Sequence, residues 1–264
     1  MMRSLWTAAS GMKAQQLNID TISNNLANVG TTGYKKQRTE FKDLFYEKLS
    51  KSNADESGGK PVNLEVGHGV MPIATVRSFA KGNLEQSNNE LDIAIDGDGF
   101  FEVRDANDNL FYTRDGSFKI SVTDGEARLV TSDGYFVQSD GGDIELGEDF
   151  ESINVSGSGT ITVKLKGEEE AEELGLLKIV TFANRQGLEA KGGNLYKQSA
   201  VSGEPVEADE GQGGNIKQGF IETSNVQIVE EMVKMIMAQR AYEINSKSIQ
   251  TADQMLEQAN NLRR

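Results

Sequence analysis

The 264-residue chain contains no cysteine and a single histidine. Without thiols there is no disulfide framework, no thiolate metal site and no thiol nucleophile. The histidine, His68, stands between Gly67 and Gly69, away from any Ser-His-Asp or metal-ligand spacing, and reads as a surface or packing residue. Proline occurs only at Pro61, Pro72 and Pro205, which leaves about sixty residues at each end free of this helix breaker. No run of about 18 apolar residues exists, so no helical membrane span is expected. Met1 to Met12 include Arg3, Ser4, Thr7 and Ser10 with no long apolar stretch behind them, so no cleavable secretory signal is expected either.

Basic residues are also scarce where a nucleic acid would need them. The net charge is −14, and its parts are +3 over residues 1–50, −17 over 51–215 and 0 over 216–264. An acidic middle repels phosphate backbones and neither end holds a dense basic cluster, which argues against a nucleic-acid partner. The near-neutral ends suit close packing of copies against one another.

What is present begins with two heptad patterns. Leu5, Met12, Ile19 and Leu26 share one position, Ala8, Ile22 and Val29 the second, and Gln15 interrupts the row. At the other end Ile228, Met235, Tyr242, Ile249 and Leu256 recur every seven residues beside Ala238, Asn245, Ala252 and Ala259, with a third row of Ala241, Met255 and Leu262. Ser224 or Asn225 is placed to cap this second helix, and Glu230 and Glu231 fall in its early turns, where the helix dipole favours acids. A helix with one narrow seam gains little until the seam is covered. The two helices are therefore expected to pair as a coiled coil, poorly ordered in the monomer and firm on assembly.

The middle reads as strands. Asp-Gly occurs six times, at Asp96, Asp98, Asp115, Asp124, Asp133 and Asp140, and favours tight hairpin turns. Short runs lie between these pairs: Leu91 to Ile95, Phe100 to Val103, Phe111 to Thr113 and Tyr135 to Val137. Ile153 and Val155, then Ile161, Val163 and Leu165, alternate around a turn at Ser156 to Thr160, and Leu176 to Phe182 supplies a further strand. The expected fold class is α+β. Its divisions are a terminal helical domain (1–35 with 221–264), an extended connector (36–70) and a β-rich domain (71–220).

Candidate chemistry dissolves on inspection. A calcium loop starting at Asp105 needs glycine sixth and glutamate twelfth, where the chain has Leu110 and Gly116. Turn formation accounts for Asp96/Asp98 and Asp105/Asp108. Glu168 to Glu173 reads as a solvated loop or short helix. No phosphate-binding loop is present, and the glycines from Gly211 to Gly214 read as a hinge. No catalytic residue, metal ligand or cofactor is assigned. A secreted carbohydrate-active or calcium-binding β protein remains the alternative from another class.

The run Ser23, Asn24, Asn25, Leu26, Ala27, Asn28, Val29, followed by Thr31, Thr32, Gly33, Tyr34 and Lys35, resembles the N-terminal signature of bacterial flagellar rod and hook proteins. Ser224 to Val226, Gln239-Arg240-Ala241-Tyr242-Glu243 and Thr251 to Leu256 resemble that family's closing helix. Leu91 to Ile95 with Gly97, Gly99, Phe100 and Phe101, then Tyr112 to Gly116, resemble its β domain. Arg3 to Met12 and the Tyr46 to Gly69 extension look most like the distal rod subunits, with the hook subunits of the same family as the alternative.

The resemblance implies a non-enzymatic subunit exported through the flagellar type III apparatus and polymerised into a hollow rod in the cell envelope. The implied partners are copies of itself, other rod proteins, the hook protein, and a surrounding ring bushing or the cell wall, without membrane insertion. Its assembly seam would comprise the eleven residues Leu5, Met12, Ile19, Ile22, Leu26, Val29, Ile228, Met235, Tyr242, Ile249 and Leu256. The motif residues would be Asn24, Asn25, Asn28, Gly33, Tyr34, Gln239 and Arg240.

Overall fold

The computed structural model describes residues 2–50, 63–123, 126–147, 150–166, 171–208 and 214–261. Asp124, Leu262, the centre of the connector with Pro61, the first three of the glutamates from Glu168, and Gly211 to Gly213 lie outside these. The chain is α+β, with one long helix at each end and many antiparallel strands between. It divides into two units, 1–27 with 37–76 and 227–264, and 28–36 with 77–226.

The first unit is built on helix α1, Met2–Ala27, and helix α2, Ile228–Asn261. Absence of proline lets both run uninterrupted, and at about 1.5 Å per residue the 34 residues of α2 span about 50 Å. The helices pack on each other, burying Ala8, Ala14 and Ile22 on α1 and Ala238 and Ala252 on α2. Gly11 sits so close to α2 that a Cβ there would lie 2.9 Å from Asn245 Nδ2. Small residues thus bring the helices together, as the pattern of alanines anticipated. The pairing is antiparallel, since Asn25 near the end of α1 meets Glu231 near the start of α2. In the same unit Gln37–Asp43 pairs with Val70–Arg77 and Tyr46–Ser50 with Leu64–Gly67.

The second unit carries the main core. Among the described residues its ten-stranded sheet runs in the order Glu189–Gly192, Leu195–Lys197, Leu110–Thr113, Phe100–Arg104, Phe136–Ser139, Glu126–Val130, Lys119–Thr123, with shorter strands attached. A three-stranded sheet of Phe150–Val155, Thr160–Leu165 and Glu172–Leu176 matches the expected hairpin. Val155 faces Ile161 and Ile153 faces Val163, all four buried on one side. Phe101, Val103, Phe118, Leu129 and Val137 join them in one apolar cluster, and Phe101 meets Phe118 edge-on at 5.1 Å.

The Asp-Gly pairs divide in their use. Asp140 and Gly141 close a two-residue hairpin between Ser139 and Gly142, and Asp133 and Gly134 turn the chain between Val130 and Phe136. Asp96 to Gly99 instead links strands of different sheets, because Ile93–Asp96 pairs with Asn215–Gln218. Leu176 to Phe182, expected as one strand, is split into Glu172–Leu176 and Ile179–Thr181. Leu177 is buried in the main core between them.

Phe101 is fully buried in contact with Phe118, so Phe101→Ala should cost about 3–5 kcal/mol. Chemical denaturation followed by tryptophan-independent far-ultraviolet signal checks this; a loss below about 1 kcal/mol would contradict the core assignment.

Candidate functional site

Two groups of residues stand out, one in each unit. In the first unit α2 buries a stripe of Glu231, Ala238 and Ala252 and leaves bare a second one that is more apolar. Val229 is 76% exposed and Met237 66%, with Ile228, Met232, Val233, Ile236 and Ile244 also exposed. On α1 Met2 and Trp6 are exposed. A contiguous apolar face of this kind marks an interaction surface.

The expected seam residues differ in how far the chain itself covers them. Ile22 is buried, and Leu5, Met12, Ile19, Leu26, Met235, Ile249 and Leu256 are half-buried. Ile228 and Tyr242 are exposed, and Val29 lies beyond the end of α1 in a turn. Gln239, Arg240 and Asn24 are exposed, whereas Asn25 is buried. By its charge alone Glu231 belongs to the early turns of α2; the structure places it against Asn25, 2% exposed. A glutamate inside a heptad position between Ser224 and Ala238 was the available signal.

In the second unit the segment 28–36 is held by the body. Gly33 N donates to Glu222 O at 2.8 Å, and Asn194 Nδ2 donates to Thr32 O at 2.7 Å. Gly33 has φ +67°, and a Cβ there would meet Asp115 N at 2.7 Å, so glycine is required twice over. Asn28 O accepts from Thr31 N at 3.2 Å, closing the turn, and Tyr34 is buried. Lys36 N donates to Asn225 Oδ1 at 2.8 Å, while Asn225 Nδ2 donates to Ser78 O and Ala80 O, both at 2.9 Å. Asn225 thus joins chain segments; its expected capping of α2 is not among its bonds here.

At the centre lies an ion cluster. Glu222 accepts from Lys35 Nζ at 2.8 Å, Arg114 Nε at 2.9 Å and Gly82 N at 2.8 Å, with all three charged side chains nearly inaccessible. Lys35 Nζ also donates to Ala80 O at 2.9 Å, and Arg114 donates to Gly99 O. Burial lowers the Lys35 pKa to about 8; Arg114 pushes the same way and Glu222 opposes. Burial pushes the Glu222 carboxyl up, but Arg114 and Lys35 outweigh it and hold it below the usual carboxylate range. Lys35 and Arg114 come from two separate sequence motifs, and Glu222 is the residue that the motifs did not reveal.

The remaining candidates are engaged locally. His68 Nδ1 lies 3.0 Å from Phe45 O. Asp96 is bracketed by Lys81 and Lys217, which draw its carboxyl down to about 2. Asp105 and Asp108 close a turn, with Asp108 paired to Arg104 at 2.6 Å.

Three family descriptions match separate stretches of the chain. They are "Flagella basal body rod protein" over residues 5–35, "Flagellar hook protein FlgE/F/G D1 domain" over 94–163 and "Flagellar basal body rod FlgEFG protein C-terminal" over 217–262. Paired terminal helices and a strand-rich middle of the chain, matched at both ends and in the middle, define the class of flagellar rod and hook subunits. Within that class, a flagellar basal-body rod protein FlgG of Borreliella burgdorferi is 49% identical, with all of both chains covered. FlgG proteins of Buchnera aphidicola from Acyrthosiphon pisum and of Bacillus subtilis are 42% and 39% identical, over 99% and 100% of this chain and all of each relative. The chain belongs to the FlgG family of flagellar basal-body rod proteins.

Lys35 gives a pH test with a definite sign. Between about pH 8 and 10.5 the unfolded chain keeps a proton that the folded lysine has released, so this group's contribution to stability rises with pH. The melting temperature of the natural chain relative to Lys35→Met should therefore climb from pH 7.5 to 9.5. A constant or shrinking difference would contradict the assignment.

Proposed function

We propose that the chain is a non-enzymatic structural subunit that polymerises into the distal rod of the bacterial flagellar basal body, a stiff shaft carrying torque from motor to hook. The observation that carries this reading is the bare apolar stripe of α2 in a chain whose full-length relatives are named basal-body rod proteins. Each Val, Ile or Met side chain removed from water contributes about 1.5–3 kcal/mol. Several such residues per subunit, repeated along a polymer, favour association of helices that are already packed on each other. Copies of the same chain are the occupant, with α1 and α2 forming the inner, tightly packed layer.

The seam of eleven residues proposed from sequence then works in two ways. Ile22 and its half-buried neighbours close α1 on α2 within a subunit, with the partly exposed Tyr242 on the same side of α2, while Ile228 borders the exposed stripe that other copies cover. The acidic body, −17 over residues 51–215, is the part turned toward other components: further rod proteins, the hook protein, and a ring bushing or the cell wall. Such a subunit works in the cell envelope, reaches it unfolded through the flagellar type III apparatus, and needs no cofactor. The segment from Tyr46 to Gly69, of which 51–62 lie outside the described residues, adds contacts between subunits that stiffen the shaft.

Ile236 is exposed on the bare stripe and away from the buried one. Ile236→Asp should leave the monomer folded by circular dichroism but abolish polymers in light scattering and electron microscopy, because a carboxylate cannot be dried without a partner. Polymers of normal length and yield from this variant would refute the proposed surface.

A further inference from the structure

We infer that Asn25 and Glu231 select which side of α2 is turned toward α1, and so reserve the apolar side for neighbouring copies. This rests on the assembly surface proposed above. At about 100° per residue, Glu231 and Ala238 point to one side of α2. Val229, Val233, Ile236 and Met237 point to roughly the opposite side. Burial follows the first group and exposure the second. Apolar burial alone still favours the reverse, since the inward side of this first stretch offers a glutamate, an alanine and the half-buried Met235, while the outward side offers two valines, an isoleucine and a methionine.

A polar contact overrides that preference. Asn25 Nδ2 donates to Glu231 Oε2 at 3.1 Å and to Gln37 O at 2.7 Å, and Asn25 Oδ1 accepts from Gln37 N at 2.9 Å. Lys234 Nζ donates to the other oxygen, Glu231 Oε1, at 2.8 Å. Both carboxylate oxygens and the whole amide are thus engaged, with Asn25 1% and Glu231 2% exposed. Turning α2 about its axis would carry Glu231 away and set apolar side chains against the second N–H of Asn25. A buried donor left unsatisfied is the penalty that a single polar residue in a helix seam uses to fix orientation. The contact sits at the root of the pair, fourteen residues along α2 from Asn245, where Gly11 admits the closest approach. From that point the same stripe continues inward through Ala252.

The chain's lack of cysteine makes the test direct. In the full-length monomer, Gly11→Cys with Asn245→Cys reports the observed side of α2, and Gly11→Cys with Ile244→Cys reports the turned helix. With Asn25 and Glu231 intact, oxidation should cross-link the first pair and not the second. Glu231→Ala, which removes the acceptor without adding apolar area to the inward side, should raise the Gly11–Ile244 cross-link roughly tenfold relative to the Gly11–Asn245 one. Glu231→Gln, which still accepts from Asn25, should restore the original pattern. If Glu231→Ala loses helical signal, Glu231→Ser replaces it with the same expectation. Cross-linking that stays confined to Asn245→Cys in the Ala or Ser variant overturns the inference. Because the readout is intramolecular, it stands apart from polymerisation: a chain that switches sides but never polymerises would sink the assembly reading and leave this one intact.

Discussion

A helix with apolar residues on two sides cannot dry both against one partner. In this chain α1 closes over the side of α2 that bears Glu231, Ala238 and Ala252, and Val229, Val233, Ile236 and Met237 stay in water. Most of a helix's stability comes from packing and little from propensity. The unfinished side is therefore the feature that connects fold to function. From sequence alone the terminal helices are expected to be poorly ordered before assembly; in the single chain both are formed and packed on each other, and the bare side still exposes enough apolar area to favour association.

The strand-rich unit meets a different demand. Its aromatic and β-branched residues supply a conventional core, and the Lys35–Glu222–Arg114 cluster fastens the segment after α1 into it. Buried ion pairs are weak sources of net stability, but removing one partner strands a charge and is expensive. Such a cluster tolerates one arrangement of residues 28–36 and Phe220–Glu222 and penalises others. A subunit that transmits force benefits from that kind of uniqueness more than from a few added kcal/mol.

Much of this was legible from residues alone. Proline-free ends with sevenfold repetition gave two helices and their pairing, and alternation at Ile153, Val155, Ile161 and Val163 gave a hairpin with one dry face. Motifs at both ends and in the middle pointed to flagellar axial proteins. Other features were hidden for physical reasons. A heptad records which positions repeat, but it says nothing of apolar residues outside the repeat, so Val229, Val233, Ile236 and Met237 did not stand out. Glu231 read as an ordinary early-turn acid because its burial depends on Asn25, more than two hundred residues away. Glu222 escaped notice because nothing local marks a carboxylate whose two cationic partners arrive from distant segments.

Methionine supplies the most direct measurement. Met232 and Met237 lie on the bare stripe, and Met12 and Met235 are half-buried. Brief oxidative labelling read by mass spectrometry compares sulfoxide formation in the monomer and in the assembled polymer. The account predicts that Met232 and Met237 label readily in the monomer and become strongly protected in the polymer. Equal labelling of these two methionines in both states would contradict the claim that neighbouring copies cover this side of α2.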